Sequence, residues 1–183
     1  MRQSEILGLP WRNIDFKNRL ISVNKSLSKN PKKRIKKRVK TKLGFRSIKI
    51  DSYTVEKLQQ HKKLISKEKL FLGEEYQDFD LVIPTSKGTP IHQRNIVRTF
   101  HRYLKISGVR KITFHDMRHT HASLLFQNGA NPKAVAERLG HDVRTLMETY
   151  AHVMPNIQEE IANDFGSLFY NSQSTRNHKK NKM

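Results

Sequence analysis

At 183 residues the chain is long enough for one domain with a real core and short for two of ordinary size. Its 36 Lys and Arg against 16 Asp and Glu leave a formal charge of +20, far beyond what solubility requires, so the expected partner is an anionic polymer. No apolar run approaches the ~18 residues of a spanning helix and no signal-peptide pattern opens the chain; the absence of cysteine excludes a disulfide framework and a thiolate metal site and suits a reducing, cytoplasmic compartment.

Residues 2–9 predict a short helix whose apolar side is Ile6, Leu7 and Leu9, ended by Pro10. Arg2 at its head reads, taken alone, as a solvated charge. Residues 11–15 predict a turn in which Trp11 and Ile14 pack into the core. Residues 20–24 predict a β-strand, the lysine- and arginine-dominated stretch 25–42 holds β-branched residues in its second half, and 46–50 completes an expected three-stranded sheet. The basic run, with Lys40 and Arg46 in and beside it, is expected to neutralise phosphates without reading bases.

Asp51 and Ser52 open an amphipathic helix reaching about residue 69, followed by an acidic loop over 71–80 and a short buried strand over 81–84. A helix from about 93 to 106 carries Ile96, Phe100 and Leu104 on one face and Arg94, Arg98, His101 and Arg102 on the other. Solvent and DNA are equal readings of that basic face. Residues 115–127 predict a helix with Met117, Leu124 and Leu125 inward, closed by Asn128 and Gly129. Asn131 and Pro132 then start another helix, which ends at Gly140 with Val135 and Leu139 in the core. This pair alone reads as a helix-turn-helix. Residues 144–152 predict a helix with Leu146 on one side and Tyr150 on another. Ile157, Ile161, Phe165 and Leu168 recur at helical spacing, and the polar, basic end from about 171 to 183 is expected to be disordered.

Chemistry concentrates between Thr113 and Tyr150. His115 and Arg118 lie three apart, hence on one face of a helix, where a guanidinium fork and an imidazole can reach one phosphate. His141 follows a helix end as a third phosphate donor, and Tyr150 stands nine residues later. His115 and His119, at i and i+4, are also a possible metal pair, but a metal-dependent nuclease needs further ligands, and Asp116 points off that face.

The run Thr113-Phe114-His115-Asp116-Met117-Arg118-His119-Thr120, then Leu139-Gly140-His141, then Thr149-Tyr150-Ala151-His152 resembles the catalytic core of the tyrosine recombinases, the phage integrase family. The wording is closest to integrases of phages and conjugative transposons. Upstream, Arg2 and Glu5 within residues 1–9 resemble that family's first catalytic arginine motif. Lys40, Thr41 and Lys42 before Arg46 resemble its β-hairpin lysine, with Lys42 favoured and Lys40 its rival two residues away on the same strand face.

The resemblance implies an α+β, mainly α-helical DNA breaking-rejoining domain over residues 1–170, with a small three-stranded antiparallel sheet and the tail 171–183 beyond it. It implies that Tyr150 attacks a phosphodiester to form a 3′-phosphotyrosine. Arg2, Arg118 and His141 hold the non-bridging oxygens, His115 assists proton transfer, and Lys42 protonates the leaving 5′ oxygen. No metal or other cofactor is implied. The implied partners are attachment-site DNA and other protomers, four in the synapse, in a bacterial or phage context acting on the chromosome. The family's core-binding and arm-binding domains would precede the present chain. Competing readings are a non-catalytic helix-turn-helix DNA binder, an inactive recombinase remnant and a type IB topoisomerase-like enzyme.

Overall fold

The computed structural model describes residues 1–24, 26–27, 35–36 and 45–153. Helix α1 (Gln3–Leu7) opens the domain, with the Glu5 carboxylate accepting the Arg2 backbone N–H at 2.7 Å, one half of a capping box. After it the chain zips antiparallel along residues 80–82: Trp11 N–H donates to Asp80 O at 2.8 Å and Val82 N–H to Leu9 O at 2.9 Å. The expected strand at 81–84 is thus reduced to bridges, Pro10 with Leu81 and Pro84 with Pro90, although Leu81 and Val82 are buried as expected.

The three-stranded antiparallel sheet forms with two strands where expected, at 20–23 and 46–49, and takes its third from residues 14–15, which read as part of a turn. Its order is β1 (Ile14–Asp15), β2 (Leu20–Val23), β5 (Arg46–Lys49), while β3 (Ser26–Leu27) and β4 (Ile35–Lys36) pair separately as a ribbon. The reason is register: Ile14 opposite Ile21 and Ile21 opposite Ile48 stack three apolar side chains on one face. With Leu9, Trp11, Val23 and Val82 they form the first core. Trp11 is buried in it, as its apolar neighbours predict. Helix α2 (Ser52–Leu72), N-capped by Asp51, covers that core with Leu58 and Ile65.

Helices α3 (Gln93–Ile106), α4 (Phe114–Gln127), α5 (Pro132–Leu139) and α6 (Val143–Tyr150) follow near their predicted bounds. The second core joins Ala122 and Phe126 of α4, Val135, Ala136 and Leu139 of α5, and Leu146 and Tyr150 of α6. Two inward faces differ from expectation. On α4, Met117 and Leu124 are about half exposed, and the i, i+4, i+8 set Arg118, Ala122, Phe126 turns inward instead. A basic residue takes an inward position there because its partners lie at the seam between the two cores. On α6, Leu146 and Tyr150 share one buried face, as residues four apart must. Among the described residues no helix is long and apolar enough to cross a membrane.

Candidate active site

The two cores meet at a polar seam built on Glu5, which is 1% exposed. Arg46 of β5 donates to both its oxygens, at 3.2 and 2.8 Å, and Arg2 Nη1 donates to Oε1 at 3.0 Å. Burial pushes the Glu5 carboxyl up, but the hydrogen bonds and charge of Arg46 and the Arg2 contacts prevail and hold it at about 2. Arg46 also donates through Nε to Arg138 O at 2.9 Å, while Arg138 Nη1 donates back to Lys49 O at 2.8 Å. Helix α5 is thereby tied to the sheet. The expectation that Arg46 faces DNA is therefore corrected: its side chain is 5% exposed and spent on Glu5 and α5. A strand position between two cores, invisible in a basic run, buried it.

Arg2 reaches across to Gly140 through Nη2, which donates to the carbonyl at 3.0 Å. Gly140 ends α5 in the left-handed region at φ 67°, a conformation glycine adopts without Cβ strain. Next to it, Arg118 Nη2 donates to Leu139 O. Arg118 is 6% exposed, and its Nη1 has no hydrogen-bond partner among the described residues. Burial, then the charges of Arg2 and Arg46, push the guanidinium down to about 10, against the pull of Glu5 and Tyr150. Among the described residues, Arg2 and Arg46 thus donate to the Glu5 carboxylate while Arg118 lies within its field. A buried donor left open beside like charges can accept an anion at little further desolvation cost.

Arg2, Gln3, Gln93, His101, His115 and Arg118 line a cavity of about 350 Å³ at this point. The structure therefore brings Arg2, His115 and Arg118 together around one space, with Thr113 fixing the start of α4 by a capping box with Asp116. Asp116 is spent on that cap, so it is neither an ion-pair partner of Arg118 nor a ligand beside the histidines. His141 and Tyr150 do not line the cavity but lie within electrostatic reach of it. Burial and then Arg118, Arg2, His115 and His119 lower the His141 imidazole, which keeps it neutral more readily. The Tyr150 phenol is raised by burial, with Arg118 opposing.

The phenol has a partner that sequence reasoning assigned no role at this site. Tyr150 Oη is hydrogen-bonded to His119 Nδ1, and the His119 ring meets His115 edge-on with centroids 4.4 Å apart. In the sequence His119 reads only as a possible metal ligand and a member of the motif run, because its partner lies 31 residues away on another helix. Among the described residues no group of three or more His, Asp or Glu is placed to hold a metal. Lys40 and Lys42 lie outside the described residues, as do the apolar stripe from 157 and the tail. Arg94, Arg98 and Arg102 are exposed on α3. A larger cavity, about 470 Å³, lies between Trp11, Phe16, Lys62 and Tyr76 and contains none of the candidate residues.

Comparison with known proteins places this geometry. The model of the phage integrase family matches residues 1–156. The chain is 32% identical over 182 residues to a tyrosine recombinase XerC-like protein of Caldanaerobacter subterraneus subsp. tengcongensis, covering 92% of this chain and 46% of that protein. It is also 32% identical over 171 residues to the ICEBs1 integrase of Bacillus subtilis, with the same coverage of each. Among solved structures, a Tn1549 transposon integrase in complex with transposon right end DNA superposes with a TM-score of 0.70 at 25% identity, over 89% of this chain and 53% of that one. The XerA recombinase superposes with a TM-score of 0.63 at 20% identity, over 90% and 53%, which supports the fold. The chain spans about half the length of the curated relatives it matches. Motif order, fold and the arginine-lined seam agree, and the chain belongs to the phage integrase family.

Proposed function

We propose that this chain is the catalytic part of a site-specific DNA recombinase, acting by transesterification on double-stranded attachment-site DNA in synapsis with other protomers. The observation that carries the reading is the buried Arg118 guanidinium. It has one open donor beside Arg2 and His115, and the Tyr150 phenol lies within its field. A phenol stores the phosphodiester as an ester of similar energy, so strands are exchanged without an external energy source. Attack by Tyr150 on phosphorus builds negative charge on the non-bridging oxygens. Arg118, Arg2 and His141 hold those oxygens, and a donor of this kind is worth about 3 kcal/mol. His115 assists proton movement, and Lys42 protonates the leaving 5′ oxygen. The catalytic domain extends over 1–170, with 171–183 a basic tail. Arg94, Arg98 and Arg102 contact phosphates from the exposed side of α3.

Incubation with a nicked suicide duplex tests the reading. A denaturation-resistant protein–DNA adduct is expected in EDTA, and Tyr150→Phe abolishes it while retaining DNA affinity. Binding to duplex DNA with no adduct on any nicked substrate would instead make the chain a non-catalytic DNA binder.

A further inference from the structure

The Tyr150 oxygen has one hydrogen-bond partner among the described residues, and it is not His115 but the histidine following the buried arginine. Three contacts set this geometry. The Tyr150 ring packs on Phe126 with centroids 5.5 Å apart, which fixes its plane from the second core. Its oxygen meets Nδ1 of His119, and the ring centroids of the pair stand 5.7 Å apart. His115 closes the other side of His119 edge-on, so the His119 ring is held between the phenol and the histidine that lines the phosphate cavity. His119 sits one position after Arg118, so the same turn of α4 that sends the guanidinium into the seam turns this imidazole toward α6. The phenol is thus placed where Arg118 acts on it, and not packed away from the charge cluster.

We propose that His119 is a catalytic residue: it positions the Tyr150 oxygen and accepts the phenol proton during attack, leaving His115 on the phosphate side. This rests on the recombinase reading above. In the step, the bond from Tyr150 Oη to phosphorus forms as the bond from phosphorus to the 5′ oxygen breaks. The phenol proton passes to His119 Nδ1, whose ring carries its other proton on Nε2. The 5′ oxygen takes a proton from a separate acid. In the tautomer that carries its proton on Nε2, Nδ1 accepts from the phenol O–H, and burial of the phenol favours its protonated form as the donor. Religation runs the same transfer backwards. Among the described residues, Tyr150 of α6 and His115 of its own helix touch His119, while His141 at the α5–α6 junction and Asp116 lie within its electrostatic reach.

Two measurements test this with the full 183-residue chain. Without DNA, the imidazole nitrogen resonances of His119 should shift in Tyr150→Phe while those of His121 stay in place; unchanged His119 resonances would overturn the proposal. On the suicide duplex at saturating protein, His119→Gly should slow single-turnover adduct formation by about 10²-fold or more. Affinity for the duplex should be unchanged, and added imidazole should restore part of the rate. A 5′-phosphorothiolate substrate, whose leaving sulfur needs no proton, should not rescue the variant. Adduct formation by His119→Gly at the wild-type rate or faster would overturn the inference while leaving the recombinase reading intact. No adduct with the wild-type chain would instead sink that reading, and the resonances alone would then decide whether His119 holds the phenol.

Discussion

Glu5 carries one negative charge in a seam of guanidiniums, and its environment makes a pH prediction. Its carboxyl stands at about 2 in the folded protein, below the ordinary value of 4.5, because Arg46 and Arg2 prefer it ionised. A depressed folded-state value contributes stability that is fully present above the unfolded value and is lost as pH falls through the folded one. Denaturation free energy should therefore fall between about pH 4.5 and pH 2, and a Glu5→Gln variant should show a flatter pH dependence in that window when unfolded by urea. At neutral pH the same variant should be destabilised by about 3 to 5 kcal/mol, because it removes the buried carboxylate that holds both Arg46 and Arg2. A loss below 1 kcal/mol would mean that the seam is not held by this carboxylate. Arg118 is the converse case: burial and like charges work against it, and a phosphate would relieve both.

Helix ends, more than helix interiors, place the candidate site residues. Capping by Thr113 and Asp116 sets the phase of α4, and with it the directions of His115, Arg118 and His119. The end of α5 supplies two carbonyls, those of Leu139 and Gly140, to the two arginines. Gly140 is the point where this works, since its φ of 67° is easy for glycine and costs an L-residue about 1 to 2 kcal/mol. Gly140→Ala should lower stability by roughly that amount. It should also slow adduct formation by more than stability alone accounts for, because the carbonyl that holds Arg2 moves. Equal rates on fully folded protein would separate the turn from the chemistry. The Asn131–Pro132 start and Gly140 stop of α5 were legible in the sequence because caps are local events. The sheet order was not, because β2 chooses between β1, β5 and the intervening ribbon through side chains far apart in the chain.

Across the whole molecule the charge of +20 predicts binding to duplex DNA through phosphate contacts. Duplex affinity should fall linearly on a log–log plot against salt, with a slope of about −0.9 for each phosphate neutralised. Replacing Arg94, Arg98 and Arg102 together by alanine should reduce that slope by up to about 3 and weaken binding alike on all sequences. A slope unchanged by the triple variant would move the DNA surface off α3. Arg46→Ala, by contrast, should act through stability, since its side chain is buried on Glu5.

The linear sequence by itself determined the helices from α2 to α6, the stops at Asn128 and Gly140 and the basic character, and it carries the motif run from which Arg2, His115, Arg118, His141 and Tyr150 are proposed as the site. Caps, periodicity and charge are carried by neighbours within a few positions, so they can be read without a fold. Tertiary structure alone decided that Arg46 turns inward to Glu5, that Arg118 replaces Met117 on the buried face of α4, and that the phenol of Tyr150 meets His119. Each of those pairings joins groups on different elements. Which cation is buried, and which imidazole touches the phenol, depends on how two apolar cores close around a seam that only packing creates.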